Sequence, residues 1–515
     1  MSFMSDKSVN QTISISSHTI VKNSLFNLAG QIIPIIAVII ALPVLISYLG
    51  VERFGLLSIL WMLMWYSSML DLGLGRTTTK FVSELLAQSK FREIPKIFWT
   101  SASIQVVMGL LIGMFLYSVS PFIVVKLLKV STHYINETKL SLYFISLAVP
   151  LILISTSFQG LLEAYQRFDL VNLVLTLTKL GVLILSIFGA ILNFGLSGIV
   201  FLIVMFRLFV ILILGFIDFK VCPELKNFSV DLKTFSKLLS FGGWLTVSNI
   251  VIPILTYVDR FLISYFLSAA VLAYYTAPFE IVQRMWIVPI SLTMTLFPAF
   301  SAFKALEDQS KLENAFTKSI KYTFLILFPV VFIIAIFSAD ILKVWLGPEF
   351  QTQSSVIFQL LAFGFFISSI CGFPLILLQS YGRPDLVAKV SLAELFLYIP
   401  FVSFLILELG LKGAALGWLL RSFVEGVFLF YFVFNYKIVS FGNFFNNTIR
   451  QLVLISIVMV LGIFLIKFFF TTFELKFVFS LTLLLIFALY VWFFVIDENE
   501  KVSIRSFAKI KATFK

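Results

Sequence analysis

The chain has 515 residues, of which 60% are hydrophobic and only 12% are charged, and its formal net charge is +12. No soluble core could bury this apolar fraction, so the composition indicates an integral membrane protein. The apolar runs reach about 20 residues and lack strict alternation, which is typical of membrane-spanning helices and not of a membrane β-barrel. Only two cysteines and two histidines are present, and they lie far apart. We therefore expect an all-helical membrane protein without a metal site, a disulfide or another cofactor.

Breaks at glycine, proline and charged residues divide the chain into about fourteen predicted membrane spans. Six lie in the first half, near residues 22–48, 54–86, 97–120, 139–163, 170–192 and 198–219. Six more lie in the second half, near residues 241–266, 273–302, 319–337, 356–380, 387–408 and 414–436. The final pair is expected near residues 450–470 and 476–496, and it forms an extra helix unit at 450–496.

An internal repeat indicates that the two halves share one plan. LLEAYQRFDLV at residues 161–171 returns as LLQSYGRPDLV at residues 377–387, an offset of roughly 216 residues. Both repeats also carry an arginine in their sixth span, Arg207 and Arg421. Such an offset is typical of duplicated multi-helix units.

The duplication and the polar stretches predict the domain organisation. We expect an N-lobe at residues 22–219 and a C-lobe at residues 241–436, each of six helices. Residues 220–240, which are polar and rich in lysine, are expected to form a cytoplasmic linker between the lobes.

The distribution of lysine and arginine predicts the orientation. Basic residues are about threefold more frequent on the side that holds both termini, so the positive-inside rule places both termini in the cytoplasm. Residues 1–21 lack the apolar core of a signal peptide and are expected to be a cytoplasmic segment, and residues 497–515 a basic cytoplasmic tail. Because a topology signal that also contacts anionic lipid explains the net charge, no nucleic acid partner is expected.

Charged residues inside the predicted spans are the candidate functional residues. A charge at the centre of a span costs about 2.5–3.5 kcal/mol, so the charges that remain usually face a protein interior or a water-filled cavity. They are Asp71, Arg76, Lys179, Arg207, Asp259, Arg260, Glu280, Arg284, Glu394, Arg421 and Glu425.

Spacing separates these charges into two groups. Glu280 with Arg284, and Arg421 with Glu425, are four residues apart and can form ion pairs on one helix face. Three other cations, Lys179, Arg207 and Arg260, have no acid three or four residues away. Their partner is either an acid on another helix, such as Asp71 or Glu394, or an anionic ligand, and both alternatives stay open. If these cations converge between the lobes, they form a cationic site suited to phosphate or pyrophosphate.

Several segments resemble a known family. SYLGVERFGLLSI at residues 47–59, DLGLGRTTTKFVSE at 71–84 and TYVDRFLISYFLS at 256–268 are similar to segments of bacterial polysaccharide-biosynthesis flippases of the O-antigen type. These flippases belong to the multidrug/oligosaccharidyl-lipid/polysaccharide (MOP) exporter superfamily. The resemblance covers most of the chain, from about residue 22 to residue 436. It implies two six-helix lobes around a central cationic cavity.

The resemblance also implies a function. Such proteins translocate undecaprenyl-diphosphate-linked oligosaccharide from the inner to the outer leaflet of the bacterial cytoplasmic membrane by alternating access. The product serves O-antigen, capsule or exopolysaccharide assembly, so polysaccharide polymerase machinery is a candidate partner. On this interpretation the protein is a transporter and not an enzyme.

The candidate residues acquire roles from this resemblance. The cations expected to bind the diphosphate and sugars are Lys179, Arg207, Arg260, Arg284, Arg421 and Arg76. Family members can couple transport to protons or sodium ions, and the acids expected to do so here are Asp71, Asp259 and Glu394.

Two other functions are alternatives to the flippase. An ion-coupled small-molecule or drug antiporter of the same superfamily would bind a cationic substrate, which the excess of arginine and lysine within the spans disfavours. A membrane enzyme such as a polymerase or ligase would be expected to present catalytic groups on a large outer loop. The predicted outer loops are short and show neither paired carboxylates nor a nucleophile with a base.

Overall fold

A computed structural model describes residues 17–71, 73–165, 167–231, 251, 254–445, 447–470, 472–498 and 500–502. Three predicted segments therefore lie partly outside the described residues. They are the N-terminal segment up to residue 16, the linker from residue 232 with the start of the seventh span, and the tail from residue 503.

The structure confirms the predicted all-helical fold, with no strand among the described residues. In the first half the helices are α1 Ser17–Met69, α2 Leu74–Ala87, α3 Ile94–Phe122, α4 Ile135–Ala164, α5 Phe168–Ile191 and α6 Gly195–Val221. In the second half they are α7 at residues 254–266, α8 Ala269–Val282, α9 Ile287–Ala305, α10 Gln309–Leu346, α11 Pro348–Ser380, α12 Pro384–Leu409 and α13 Leu411–Asn435. The last helices are α14 Phe441–Phe444, α15 Asn447–Phe469 and α16 Phe473–Tyr490.

Eleven helical segments of the described chain are long and apolar enough to cross a membrane, so this is a multi-pass membrane protein. One of them, Ile36–Leu86, includes parts of the first two predicted spans. Gly50, which lies between those two predicted spans, interrupts the helical backbone of α1 with a φ of 75°. The eighth predicted span is divided into α8 and α9 by the 3-10 segment Gln283–Trp286. The count of about fourteen spans stays a prediction.

The chain forms two compact units. The first comprises the described residues of Met1–Tyr48, Leu63–Ser120 and Glu137–Gly242. The second comprises those of Leu49–Met62, Pro121–Asn136 and Gly243–Lys515. The lobe boundaries predicted from the sequence stay a prediction.

Within the first unit, buried polar side chains connect three helices. The hydroxyl of Thr78 on α2 lies 2.9 Å from that of Ser101 on α3, which in turn lies 3.0 Å from the hydroxyl of Ser157 on α4. Ser157 also donates to the side-chain carbonyl of Gln105 at 2.7 Å. In a membrane, such hydrogen bonds hold helices together where lipid supplies little hydrophobic driving force.

Within the second unit, two short segments from the first half of the sequence pack against the second half. The Ser264 hydroxyl of α7 donates a 2.7 Å hydrogen bond to the backbone carbonyl of Leu128. The ammonium of the next residue, Lys129, lies 5.0 Å from the centre of the Tyr265 ring. Gly55 of α1 lies directly against the backbone of Ala269 at the start of α8. The second unit therefore contains residues from both sequence repeats.

The last helices are attached to α10 in the second unit. α15 and α16 contribute apolar side chains to the same buried cluster as α10, α11 and α13. The ammonium of Lys321 on α10 is buried and lies 2.7 Å from the Glu500 carboxylate. Burial opposes ionisation of Glu500, but hydrogen bonds from Lys321 and Tyr322 outweigh it and lower the pKa of this carboxyl group. This ion pair attaches the segment that follows α16 to α10.

The packing of Gly55 predicts a stability difference between two glycine variants. A Cβ on Gly55 would lie 2.3 Å from the carbonyl oxygen of Ala269, and this oxygen belongs to a helix backbone that cannot rotate away. Gly55→Ala should therefore cost about 1–3 kcal/mol and lower the melting temperature of the purified protein in detergent. Gly372→Ala, on α11, is the matched control, because a Cβ there meets nothing within 4 Å. Equal melting temperatures for the two variants would contradict this close packing.

Candidate functional site

Arg260, a predicted site residue on α7, is neutralised inside the second unit. Its side chain is 2% exposed, and its Nη2 lies 3.2 Å from Glu280 Oε1 on α8. Its guanidinium carbon also lies 4.4 Å from the centre of the Phe279 ring and 4.9 Å from that of Tyr257. The partner that the sequence analysis required is thus an acid on another helix, although not one of the two acids suggested there.

Glu280 is shared between two arginines. Its Oε2 lies 3.4 Å from Arg284 Nη2, which confirms the ion pair predicted from their spacing. Arg284 is one-third exposed, whereas Arg260 is almost completely buried. One carboxylate thus contacts two guanidinium groups, and the carboxyl group of Asp259 lies on the residue next to Arg260.

Asp259, a predicted coupling acid, has its hydrogen bonds made within the protein. The side chain is fully buried. Its Oδ1 accepts a 2.8 Å hydrogen bond from the backbone N–H of Arg260, and its Oδ2 accepts another from the Tyr275 hydroxyl. This carboxyl group therefore stabilises the contact between α7 and α8.

Arg421 of α13 does not form the ion pair with Glu425 that its spacing predicts. The side chain is 9% exposed, and within the described part of the chain it pairs with no carboxylate. Its guanidinium carbon instead lies 4.5 Å from the Trp418 ring and 5.5 Å from the Tyr398 ring. Helix side chains lean toward the N-terminal turn, so Arg421 packs on Trp418 and away from Glu425. The prediction of this pair was wrong.

Several polar groups of Arg421 and its neighbours, among them Trp418 Nε1 and the Ser422 hydroxyl, are buried without hydrogen-bond partners among the described residues. Those that bear on a ligand are Arg421 Nε, the Tyr398 hydroxyl and both carboxylate oxygens of Glu394. Glu394 and Tyr398 lie one turn apart on α12 and are 8% and 3% exposed. Buried polar groups usually have partners, so an unpartnered cluster is a candidate ligand site.

Arg421 lines two cavities of the second unit. The larger, of about 650 Å³, lies between α12 and α13 and is lined almost entirely by apolar side chains, with Glu394 and Tyr398 also on its wall. The smaller, of about 250 Å³, is lined in part by polar groups, including Ser391 and Glu425. A single cation therefore borders an apolar groove and a more polar cavity.

Aromatic rings connect the two buried arginines of the second unit. Arg260 lies over Phe279, and Arg421 lies over Trp418. The centres of these two rings are 5.4 Å apart, in an edge-to-face arrangement. Both arginines thus contact one aromatic cluster. The sequence predicts them as site residues from their charge alone and not from the aromatic residues around them.

The remaining predicted site residues belong to the first unit. Asp71 precedes α2, and its carboxylate accepts hydrogen bonds from the backbone N–H groups of Gly73 at 2.9 Å and Gly75 at 3.2 Å. Arg76 follows on α2 and is exposed. Because α1 ends at Met69 and α2 begins at Leu74, Asp71 lies before the start of a new helix and not in the middle of a continuous one.

Two further cations of the first unit differ in their surroundings. Lys179 is exposed on α5, whereas Arg207 on α6 is half-buried, and its Nε lacks a hydrogen-bond partner in the described residues. Asp218 on α6 is fully buried, and no described residue donates a hydrogen bond to its carboxylate. Asp218 is not among the predicted site residues, although it lies inside the predicted sixth span and the rule for intramembrane charge applies to it. The predicted convergence of both sets of cations stays a prediction.

Comparison with solved structures defines the class of protein. The lipid II flippase MurJ, in an inward closed conformation, superposes with a TM-score of 0.71 at 14% identity, covering 90% of this chain and 98% of that chain. An inward-facing multidrug resistance MATE family transporter of the MOP superfamily gives a TM-score of 0.67 at 15% identity, covering 78% of this chain and 94% of that one. The chain thus has the fold of these MOP proteins, as its sequence predicts.

Sequence comparison then identifies the family. The profile of the family described as "Polysaccharide biosynthesis protein" matches residues 20–304. A "Putative O-antigen transporter" of Shigella flexneri is 30% identical over 417 residues, which cover 80% of this chain and 97% of that protein. The chain belongs to the polysaccharide biosynthesis protein family, and the resemblance stated from its sequence is confirmed.

The shared carboxylate predicts a large stability effect at Glu280. Glu280→Gln would leave Arg260 buried without an acid, and breaking a buried pair in this way costs about 3–5 kcal/mol. The melting temperature in detergent should fall clearly. Asp169→Asn is the control, because its pair with Arg167 is 3.0 Å long but 63% and 45% exposed, and such pairs contribute about 0–1 kcal/mol. If both variants melt at the wild-type temperature, the Arg260–Glu280 contact is not structural.

Proposed function

We propose that the protein is a flippase that moves undecaprenyl-diphosphate-linked oligosaccharide from the inner to the outer leaflet of the bacterial cytoplasmic membrane by alternating access. Membership of the polysaccharide biosynthesis family supports this proposal, as do the printed names of its relatives, an O-antigen transporter and a lipid II flippase. Those relatives are transporters, so we propose transport and not catalysis. The product would serve O-antigen, capsule or exopolysaccharide assembly.

The observation that carries the proposal is the state of Arg421. A buried guanidinium that has no acid partner in the described chain favours an anionic ligand, because charge-assisted hydrogen bonds would replace its lost hydration. A diphosphate provides such oxygens. The unpaired cation at Arg421 would also repel a cationic drug. The geometry therefore favours the flippase over an antiporter of cationic molecules.

The first unit contributes further candidates to the same proposal. Arg207 is the strongest of them, because its side chain is half-buried and its buried Nε has no hydrogen-bond partner among the described residues. Arg76 and Lys179 are exposed and would meet a charged headgroup only from a solvated or lipid-facing surface. On the orientation derived from basic residues, both termini lie in the cytoplasm, and polymerase machinery would receive the product on the other side.

Leaflet-specific accumulation tests the function. Cells that lack the protein should accumulate lipid-linked oligosaccharide in the inner leaflet, and the wild-type protein should relieve this accumulation. Arg421→Ala, expressed at an equal level, should slow flipping by about 10–100-fold, since one charge-assisted hydrogen bond is worth about 1.5–3 kcal/mol. Arg167→Ala is the control, because Arg167 is exposed and pairs with Asp169. An unchanged lipid pool together with altered export of a small cation would establish the antiporter instead.

We propose Glu394 as the group that couples transport to protons. Of the three predicted coupling acids, Asp71 and Asp259 accept hydrogen bonds within the protein. Glu394 accepts none from the described residues, so it can take up a proton without breaking a native hydrogen bond. The groups that share its cavity wall are Arg421, Tyr398 and, at one end, Lys389.

A gradient experiment tests this coupling. In liposomes, an imposed pH gradient should accelerate flipping by the wild-type protein, and Glu394→Gln should reduce the rate to that measured without a gradient. Glu408→Gln, an exposed acid near the end of the same helix, is the control and should keep the wild-type response. A sodium gradient that drives flipping while a pH gradient does not would refute proton coupling.

A further inference from the structure

The groove between α12 and α13 combines an apolar wall with a polar cluster. Its volume is about 650 Å³, and Leu397, Phe401, Val424 and Phe428 are among its lining residues. Leu397 is 72% exposed and Phe428 is 48% exposed, on two helices that are apolar enough to cross a membrane. Because such side chains face hydrocarbon in a bilayer, the groove opens toward lipid and not toward water.

The length of the groove corresponds to one leaflet. Its wall on α12 extends from Lys389 to Phe401, a rise of about 18 Å at 1.5 Å per residue, which is a little more than half of the ~30 Å hydrocarbon core. The groove thus matches the hydrocarbon chain of a lipid that lies along the helices.

The polar cluster distinguishes this groove from an ordinary lipid contact. Glu394 and Arg421 lie near the middle of α12 and α13. With Tyr398, they present buried polar atoms that have no hydrogen-bond partner in the described chain. A resting phospholipid keeps its headgroup at the membrane surface and could not supply partners at this depth. A ligand that satisfies these groups must carry an anionic or hydrogen-bonding head into the middle of the membrane.

Arg421 connects this groove with the polar cavity on its other side. That cavity, of about 250 Å³, is lined by Thr256, Ser368 and Ser391 as well as by Arg421. A head that reaches Arg421 from the groove therefore meets hydroxyl groups and the carboxyl group of Glu425 beyond it. A hydrocarbon chain could therefore lie in the groove, a phosphate attached to it could contact Arg421, and a polar group beyond the phosphate could enter the cavity.

We infer that the groove between α12 and α13 binds the isoprenoid chain of the lipid-linked substrate while its diphosphate contacts Arg421. This inference rests on the proposed flippase function and specifies where the substrate would be held. It makes the groove a substrate site, distinct from the lipid-facing surface of α15. Leu397 and Phe428 would contact the chain, and Glu394 would lie beside the diphosphate.

Photo-crosslinking tests this inference directly. A photoreactive phenylalanine analogue at Phe428, in purified protein in lipid nanodiscs, should label radioactive geranylgeranyl diphosphate. The same analogue at Phe464, which is 68% exposed on α15, is the control for random contact with lipid. Adding Arg421→Ala should reduce labelling at Phe428 about tenfold, the effect of losing one charge-assisted hydrogen bond, and unlabelled probe should compete.

Further outcomes distinguish a failure of the groove assignment from a failure of the proposed function. Equal labelling at both positions, labelling that Arg421→Ala does not change, or crosslinks to phospholipid alone would overturn the groove assignment. Filling the groove with Leu397→Trp should abolish labelling at Phe428 in protein whose melting temperature is unchanged. If wild-type protein flips lipid-linked oligosaccharide but Phe428 is not labelled, only the groove assignment fails. If it relieves no inner-leaflet accumulation, the proposed function fails.

Discussion

A charge buried in a membrane protein is stable only if the protein or a ligand neutralises it, and this constraint explains the difference between the two arginines of the second unit. Arg260 has an acid, Glu280, on the neighbouring helix and two aromatic rings around its guanidinium group. Arg421 has aromatic rings around it and forms no ion pair with a carboxylate of the described chain. Arg260 therefore has its counter-ion inside the protein, although its Nε has no hydrogen-bond partner among the described residues, whereas Arg421 has no paired carboxylate there.

Aromatic contacts keep the two arginines in their different surroundings. Phe279 belongs to the surroundings of Arg260 and Trp418 to those of Arg421, and the two rings pack edge to face. Because these packed rings fill the space between the two arginines, the side chain of Arg421 has little room to move toward Glu280. The same packing holds its guanidinium against Tyr398, at the wall of the groove. The ion pair at Arg260 therefore supports the position of the arginine that stays available.

Sequence patterns predicted the helices closely but predicted the pairing of their charges only in part. Apolar runs place α13 near residues 414–436, and the structure has it at Leu411–Asn435, because the hydrocarbon thickness fixes the length of such a run. The Arg260–Glu280 pair joins two helices, and a rule about spacing within one helix cannot predict it. The same rule failed at Arg421, because spacing alone does not say which of its helix neighbours a side chain will contact, and Arg421 contacts Trp418. Unpartnered groups such as the Glu394 carboxylate become visible only when neighbouring helices are placed.

The proximity of an acid and a cation in one groove connects binding with release on the proposed mechanism. A flippase has to bind a diphosphate in the membrane without holding it permanently, because tight binding of a transported group slows its departure. Neutral Glu394 leaves the charge of Arg421 to the substrate. Once Glu394 loses its proton, its carboxylate competes with the diphosphate for the same guanidinium group. Proton exchange at Glu394 would therefore alternate Arg421 between a binding and a releasing state, without any change in the ion pair that holds Arg260 in place.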